Sequence, residues 1–169
     1  MTGIDELAVT LRQATPADRD VIVGFNEALA RESEDRALDR ELLEPGVARV
    51  LEDATLGRYY LAEAGGEVIG QLMITLEWSD WRCGHFWWIQ SVYVASTWRR
   101  QGVFTRLYGH VLEQARTAPE VCGLRLYVER ENAQARATYR ALGMEATGYR
   151  VMEVDFRETG TDTRVSPAR

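Results

Sequence analysis

The spacing of hydrophobic residues along the 169-residue chain predicts an alternation of strands and helices. Short apolar stretches bounded by glycine or polar residues predict strands at residues 9–14, 58–64, 67–78, 85–94, 121–129 and 144–156. Hydrophobic positions three and four apart predict helices at residues 16–32, from Asp39 onward, from Gly102 to about Thr117, and at 133–142.

Residues at the predicted boundaries support this order of elements. Thr15 followed by Pro16 is typical of a helix start, and Gly65-Gly66 is a hairpin signal. Asn132 is a predicted helix cap, and Gly143 ends that helix. The order β-α-α-β-β-β-α-β-α-β predicts an α+β fold in which a mixed sheet lies between helix layers, with a right-handed parallel crossover in residues 87–129.

We interpret residues 1–156 as a single domain, because no linker or internal repeat interrupts them. The polar, threonine-rich residues 157–169 are predicted to form a disordered tail.

Composition excludes several classes of function. All 20 basic residues are arginine, which excludes a Walker-type phosphate loop and Schiff-base catalysis because both need lysine. With only two histidines, His85 and His110, we expect no metal centre. A net charge of −6 argues against nucleic-acid binding. The absence of a long apolar run or a signal peptide predicts a cytoplasmic protein that does not bind membranes.

The segment RRQGVFTRLYGH, residues 99–110, has an unusual charge distribution. Its apolar residues recur on one helix face, yet Arg99 and Arg100 lie before the first turn, where the helix dipole is already positive. Unpaired N–H groups at a helix start bind phosphate, and Gly102 allows the backbone to approach a ligand closely. The segment therefore predicts an anion site.

Two motifs in this chain resemble those of the GNAT superfamily of acyl-CoA-dependent N-acetyltransferases. The first is Arg-x-x-Gly-x-Gly/Ala between a strand and a helix, matched here by Arg99 and Gly102. The second is Asn-x-x-Ala-x-x-x-Tyr-x-x-Leu-Gly, matched by NAQARATYRALG from Asn132. One predicted strand separates the motifs, as in the family. Phe104 departs from the small residue that ends the first motif.

The resemblance implies a three-layer αβα fold, in which two parallel strands in the centre of a mostly antiparallel sheet splay apart to admit acetyl-CoA. Backbone groups of Val92, Tyr93 and Val94 would pair with pantetheine, and Asn132 would contact the same arm. The diphosphate would lie against the loop formed by Arg99, Arg100, Gln101, Gly102, Val103 and Phe104.

The resemblance also implies direct attack of an amine on the thioester, with no covalent enzyme intermediate. Tyr139 is the predicted general acid, and a backbone N–H near Val92 would stabilise the oxyanion. Relatives place a glutamate where this chain has Gln90, so Glu77, acting through water, is the predicted base. Other candidates for the base are Asp80 and Glu32, and Ser91 is a candidate for ordering a water.

The predicted acceptor is a small, cationic primary amine, such as a polyamine or an amino-sugar antibiotic. Residues 27–53 contain nine acids and four arginines, which suits either a site for a cationic amine or a solvated helix face. Trp78, Trp81, Trp87 and Trp88 suit a core, a cation site or a homodimer interface. Three alternatives stay open: a different acyl donor, a protein N-terminus as acceptor, and a non-catalytic acyl-CoA sensor.

Overall fold

Nine regular elements follow one another in the computed structural model, which describes residues 8–156. The predicted tail at residues 157–169 lies outside this range. The strands are β1 (Thr10–Gln13), β2 (Arg58–Ala64), β3 (Glu67–Ser79), β4 (Gly84–Val94) and β5 (Val121–Leu126). The helices are α1 (Arg19–Glu34), α2 (Arg40–Glu52), α3 (Val103–Thr117) and α4 (Ala133–Ala141).

The five strands form one mixed sheet in the order β1-β2-β3-β4-β5. Neighbouring strands from β1 to β4 are antiparallel to each other, whereas β4 and β5 are parallel and connected through α3. These pairings confirm the predicted mixed sheet and the parallel crossover. The parallel pair lies at one edge of the described sheet rather than at its centre.

The strand predicted at residues 144–156 is not formed, and this prediction was wrong. The described residues of this segment have no strand assignment, and its large side chains are exposed, Met152 at 95% and Phe156 at 92%. Alternating apolar residues favour a strand only where a neighbouring strand takes up their backbone hydrogen bonds. The segment has the composition of a strand, but no described strand pairs with its backbone.

Helices cover both faces of the sheet. Tyr59 and Leu61 of β2 pack against Ile22 and Val23 of α1 and Val47 of α2. Side chains alternate along a strand, so Tyr60, between Tyr59 and Leu61, points to the opposite face. There its ring meets His110 of α3, with 5.4 Å between the ring centroids. Helices α1, α2 and α3 thus form the outer layers that the sequence predicts.

By its internal contacts the chain divides into two units, one up to Asn132 and one from Ala133 onward. The first contains the sheet and helices α1 to α3, and the second contains α4. The single domain of residues 1–156 stays a prediction. Within the described residues, no helix has both the length and the hydropathy that crossing a bilayer requires.

An ion-pair cluster fixes the start of α1 against the sheet. The guanidinium of Arg12 donates two hydrogen bonds of 2.8 Å to the Asp18 carboxylate and also binds Glu63. The backbone N–H and hydroxyl of Thr15 donate to the same carboxylate at 2.7 and 3.0 Å. Arg12, aided by Thr15, lowers the pKa of buried Asp18 from 3.8 to about 2.

We expect Asp18→Asn to reduce the free energy of unfolding at pH 7 by about 2 kcal/mol, the equivalent of this pKa shift. A lowered carboxyl pKa stabilises the fold above pH 3.8, and this contribution is lost as the pH falls towards 2. Urea titrations between pH 7 and 2 should show the two proteins converging. Asp20→Asn is the control, because Asp20 is 87% exposed. A constant difference across this pH range would contradict the assignment.

Candidate functional site

The site lies where strands β4 and β5 stop pairing. The parallel ladder between them runs only from His85 to Ile89 of β4, whereas pairing of β4 with β3 continues to Val94. Since β5 is the edge strand in the part of the chain described, residues 90–94 have no strand along their β5-facing edge. Val92, Tyr93 and Val94 of the sequence prediction all lie in this gap.

A β-bulge interrupts β4 at the start of the gap. Gln90 pairs with Met73, and Tyr93 pairs with Gln71. Ser91 and Val92 of β4 therefore oppose the single β3 residue that lies between Gln71 and Met73. Ser91 adopts a left-handed backbone conformation with φ of 48°, which is uncommon for a non-glycine residue. Bulges redirect side chains, and this bulge brings Ser91 to the face of the sheet that α1 and α2 cover.

A loop with left-handed residues leads from the gap into α3. Arg100 has φ of 61° and Gly102 has φ of 78°, and the first helical residue is Val103, as predicted. A left-handed residue followed by a right-handed one makes a concave set of backbone N–H groups that binds anions. The first turn of the helix adds outward-pointing N–H groups and the positive end of its dipole. The geometry fits a diphosphate.

The two arginines of this loop have different partners. Arg99 donates to Glu32 of α1 and, at 2.9 Å, to the carbonyl of Val94. The guanidinium of Arg99 lies 5.4 Å from the ring centroid of Tyr93, whose hydroxyl also donates to Glu32. The hydrogen bond from Arg99, and to a smaller extent that from Tyr93, lowers the pKa of the Glu32 carboxyl. Exposed Arg100 makes no ion pair within residues 8–156.

A cavity of about 510 Å³ opens beside the bulge, between α1, α2 and the sheet. Its volume is within the range typical of small-molecule sites. Its apolar lining comes mainly from Leu38, Leu42, Leu43, Val47, Val50 and Met73. Its polar side chains are those of Asn26, Tyr59, Ser91, Arg36 and Asp39. The bulge residue Ser91 therefore belongs both to the cavity and to the gap.

A chain of buried polar side chains lies under the cavity. Gln71 Nε2 donates to Asn26 Oδ1 at 2.8 Å and to the carbonyl of Ser91 at 3.1 Å. Asn26 Nδ2 then donates to Tyr59 Oη at 3.2 Å, and Tyr59 and Ser91 both line the cavity. Burial raises the pKa of Tyr59 above its usual value, which favours the neutral phenol.

The sequence prediction did not include this chain. Its signal was Gln71, a polar residue inside the apolar strand segment VIGQLMI. Gln71 is fully buried, and its Oε1 has no hydrogen-bond partner among the residues described. An unsatisfied buried polar atom costs about 1–3 kcal/mol, so a glutamine at this position needs an explanation other than packing.

Glu77 lies on the same face of the sheet as Met73, four positions further along β3. This spacing corresponds to about 13 Å between the Cα atoms of Met73 and Glu77. The Glu77 carboxylate accepts hydrogen bonds from the indole of Trp88 and from Arg125, the latter at 2.9 Å. Gln90 donates to Thr75 rather than to any of these groups. The role of Glu77 as a base stays a prediction.

Three other predicted site residues have distinct environments. Exposed Asn132 directly precedes α4, and its backbone N–H donates to the Glu129 carbonyl at 3.1 Å. Tyr139 is half-buried in α4, and burial raises the pKa of its phenol. The ring of Phe104, in the first turn of α3, lies 6.1 Å from that of Tyr108.

Metal-binding residues do not cluster in residues 8–156: no group of three or more histidine, cysteine or acidic side chains is arranged to hold an ion.

Comparison with known proteins agrees with this geometry. Residues 22–144 match the acetyltransferase (GNAT) family. The crystal structure of a possible acetyltransferase from Clostridium difficile 630 is 41% identical, with a TM-score of 0.83 over 89% of this chain and 98% of that one. No protein with a curated description matches.

Two more distant structures share the fold. A predicted acetyltransferase with acetyl-CoA from Clostridium acetobutylicum is 17% identical, with a TM-score of 0.70 over 88% of this chain and 96% of that chain. The aminoglycoside N-acetyltransferase AAC(6′)-Iy in complex with CoA is 18% identical, with a TM-score of 0.72 over 92% of this chain and 99% of that chain. The family match covers most of the sequence, and the chain belongs to the GNAT family of acetyltransferases.

Proposed function

We propose that the protein transfers the acetyl group of acetyl-CoA to the primary amine of a small acceptor, by direct attack within a ternary complex. The observation that carries this proposal is the gap after Ile89, where no described strand pairs with one edge of residues 90–94, next to the start of α3. An extended pantetheine arm can pair with such an edge while the diphosphate occupies the loop.

The backbone of the site favours the reaction in two ways. Binding both substrates next to each other removes most of the entropic barrier, worth up to about 7–11 kcal/mol in model reactions. The backbone N–H of Val92, at the bulge, would donate to the thioester oxygen as negative charge develops on it. Such preorganised donors typically contribute about 100-fold or more to the rate.

Two side chains would move protons in this proposal. Tyr139 would donate a proton to the leaving thiolate, because burial keeps its phenol protonated at neutral pH. Glu77 would accept the proton of the amine through ordered water along the strand face that leads to Met73. Both roles are supported by the family membership of the chain and depend on the tests given below.

Titration calorimetry with coenzyme A and a thiol-release assay with acetyl-CoA test the proposal directly. We expect CoA to bind and thiol release to depend on an added amine, with the acetylated amine detected by mass spectrometry. Propionyl-CoA and a peptide with a free N-terminus test the alternative donors and acceptors. Binding of CoA without transfer to any amine would favour an acyl-CoA sensor instead.

Two further parts of the sequence prediction stay proposals. A homodimer is supported by the exposed indoles of Trp78 and Trp81, at the end of the hairpin between β3 and β4. Sedimentation of wild type and Trp81→Ser would test it, since a surface indole at a dimer interface is a common hot spot. We also propose that the protein is cytoplasmic.

A further inference from the structure

We propose that the cavity beside Ser91 selects an acceptor with one amine on an apolar body, and that Ser91 accepts a hydrogen bond from that amine. This inference rests on the proposed function, because it names the acceptor class of the same site. Its evidence comes from the lining of the cavity, the state of the nearby carboxylates and the direction of the buried hydrogen-bond chain.

The lining of the cavity is unsuited to a polycation. Its one carboxylate, Asp39, already caps α2 by accepting the backbone N–H of Glu41 at 2.9 Å. The guanidinium of Arg36, also in the lining, would repel a second ammonium group. The remaining walls are mostly leucine, valine and methionine, which favour burial of methylene groups.

Ion pairs already hold several carboxylates of the acidic segment at residues 27–53. Arg40 binds both Glu27 and Glu44, at 3.2 and 3.3 Å, and Glu32 binds Arg99. Asp53 accepts two hydrogen bonds from Thr55 beyond the end of α2. With Asp39, five of the nine carboxylates of this segment are therefore engaged in structural contacts, and of the nine only Asp39 is in the described cavity lining.

The direction of the buried chain follows from its hydrogen-bond chemistry. The Ser91 carbonyl can only accept, so the Gln71 atom facing it must be the amide nitrogen. The same nitrogen donates to Asn26, which fixes Oδ1 towards Gln71 and Nδ2 towards Tyr59. Tyr59 Oη therefore accepts from Asn26.

The Gln71 side chain holds the backbone of Ser91 beside the cavity, and Ser91 is part of the cavity lining. A serine Oγ carries two lone pairs and can accept a hydrogen bond from an amine N–H. The neighbouring residue Val92 lies in the gap proposed for the thioester. An amine hydrogen-bonded to Ser91 would thus lie one residue from the reacting carbonyl, with its body among the apolar side chains.

Linear alkylamines from n-propylamine to n-hexylamine, compared with 1,6-diaminohexane, test the acceptor class. We expect kcat/KM for acetyl transfer to rise about fourfold for each added methylene, as expected for burial of a CH₂ group. The diamine, which matches n-hexylamine in length but ends in a second charge, should be poorer by about 100-fold. A flat series, or a preference for the diamine, would overturn the inference.

A matched pair of surface substitutions tests whether the cavity is responsible. Leu42→Glu places a carboxylate in the lining at a residue that is 56% exposed, so the fold should tolerate it. It should lower kcat/KM for n-hexylamine and raise it for 1,6-diaminohexane. Leu56→Glu makes the same change at a residue that is 39% exposed and outside the cavity lining, and should alter neither value. Equal effects of both variants would overturn the assignment.

Two substitutions of Ser91 test the hydrogen bond to the amine. Ser91→Ala keeps a Cβ in the left-handed conformation, whereas Ser91→Gly removes that strain. Both lack the hydroxyl, so both should reduce kcat about tenfold for every amine, by the loss of one hydrogen bond at about 1–1.5 kcal/mol. An effect in only one of the two variants would indicate backbone strain and would overturn the role of the hydroxyl.

Failure of the proposed function and failure of this inference give different results. If no amine is acetylated, the transfer function fails, and calorimetry with n-hexylamine and 1,6-diaminohexane in the presence of CoA decides the inference. Tighter binding of n-hexylamine supports the apolar cavity, whereas equal or tighter binding of the diamine overturns it. If amines are acetylated but the diamine is preferred, the function stands and the inference alone fails.

Discussion

Aspartate in place of Gly102 is expected to weaken coenzyme A binding by about 100-fold or more, whereas asparagine should weaken it only a few-fold. A carboxylate facing a diphosphate costs several kcal/mol, and about 2.7 kcal/mol corresponds to 100-fold in the dissociation constant. The two side chains have nearly the same size, so the comparison isolates the charge at the start of α3.

Both Gly102 variants should fold. A Cβ built on Gly102 meets no heavy atom within 4 Å, and its φ of 78° is one that asparagine and aspartate adopt more readily than other side chains. Circular dichroism and thermal melts would verify the fold. Titration calorimetry with CoA measures the effect, and pantetheine, which lacks the diphosphate, is the control ligand.

Three results complete the test of the phosphate loop. Pantetheine should bind the two variants equally, because it does not reach the start of α3. Raising the salt concentration should reduce the difference between the variants for CoA, since exposed charges are screened. Equal affinities of the two variants for CoA would mean that the diphosphate binds elsewhere.

The start of α3 could be predicted from sequence because its signals are local. A glycine followed by an amphipathic helix fixes where α3 begins, and the structure begins this helix at Val103. In the same way Asp39 identified the start of α2, where it accepts the backbone N–H of Glu41. Local hydrogen-bond chemistry decides such boundaries, so they do not depend on how distant segments pack.

The cavity and its polar chain depend on strand register, which the sequence pattern did not reveal. At the bulge, two residues of β4 oppose one of β3, and Ser91 enters the cavity lining together with Tyr59. Likewise, the ion pair of Arg99 with Glu32 joins residues 67 positions apart. Contacts of this kind follow from tertiary packing rather than from local periodicity.

The segment at residues 144–156 illustrates the opposite error. Its alternation of apolar and polar residues resembles that of the true strands, but alternation describes a side-chain pattern and not a backbone partner. β5, whose residues are all partly exposed, was predicted correctly because α3 and β4 pack against it. A strand forms where the side-chain pattern coincides with a neighbouring strand that pairs with its backbone.

Phenylalanine in place of Tyr139 is expected to lower kcat by about 100-fold to 1,000-fold, the contribution typical of a general acid. The affinity for CoA should be unchanged, because the substitution removes one oxygen and keeps the ring. Thiol release under saturating acetyl-CoA and amine measures kcat, and calorimetry measures CoA affinity. Tyr149→Phe, at a residue that is 84% exposed, is the matched control.

The pH dependence distinguishes the acid from a structural tyrosine. Burial raises the pKa of Tyr139 above 10, so the protonated phenol persists through neutral and moderately alkaline pH. The wild-type kcat should therefore not decline below about pH 10 through loss of the Tyr139 proton. Any decline of kcat below that pH should also be present in Tyr139→Phe. Glu77→Gln should also lower kcat, because an amide cannot accept the proton of the amine. A loss of less than threefold in Tyr139→Phe would remove this phenol from the chemistry, and the leaving thiolate would then take its proton from water admitted through the gap beside β4.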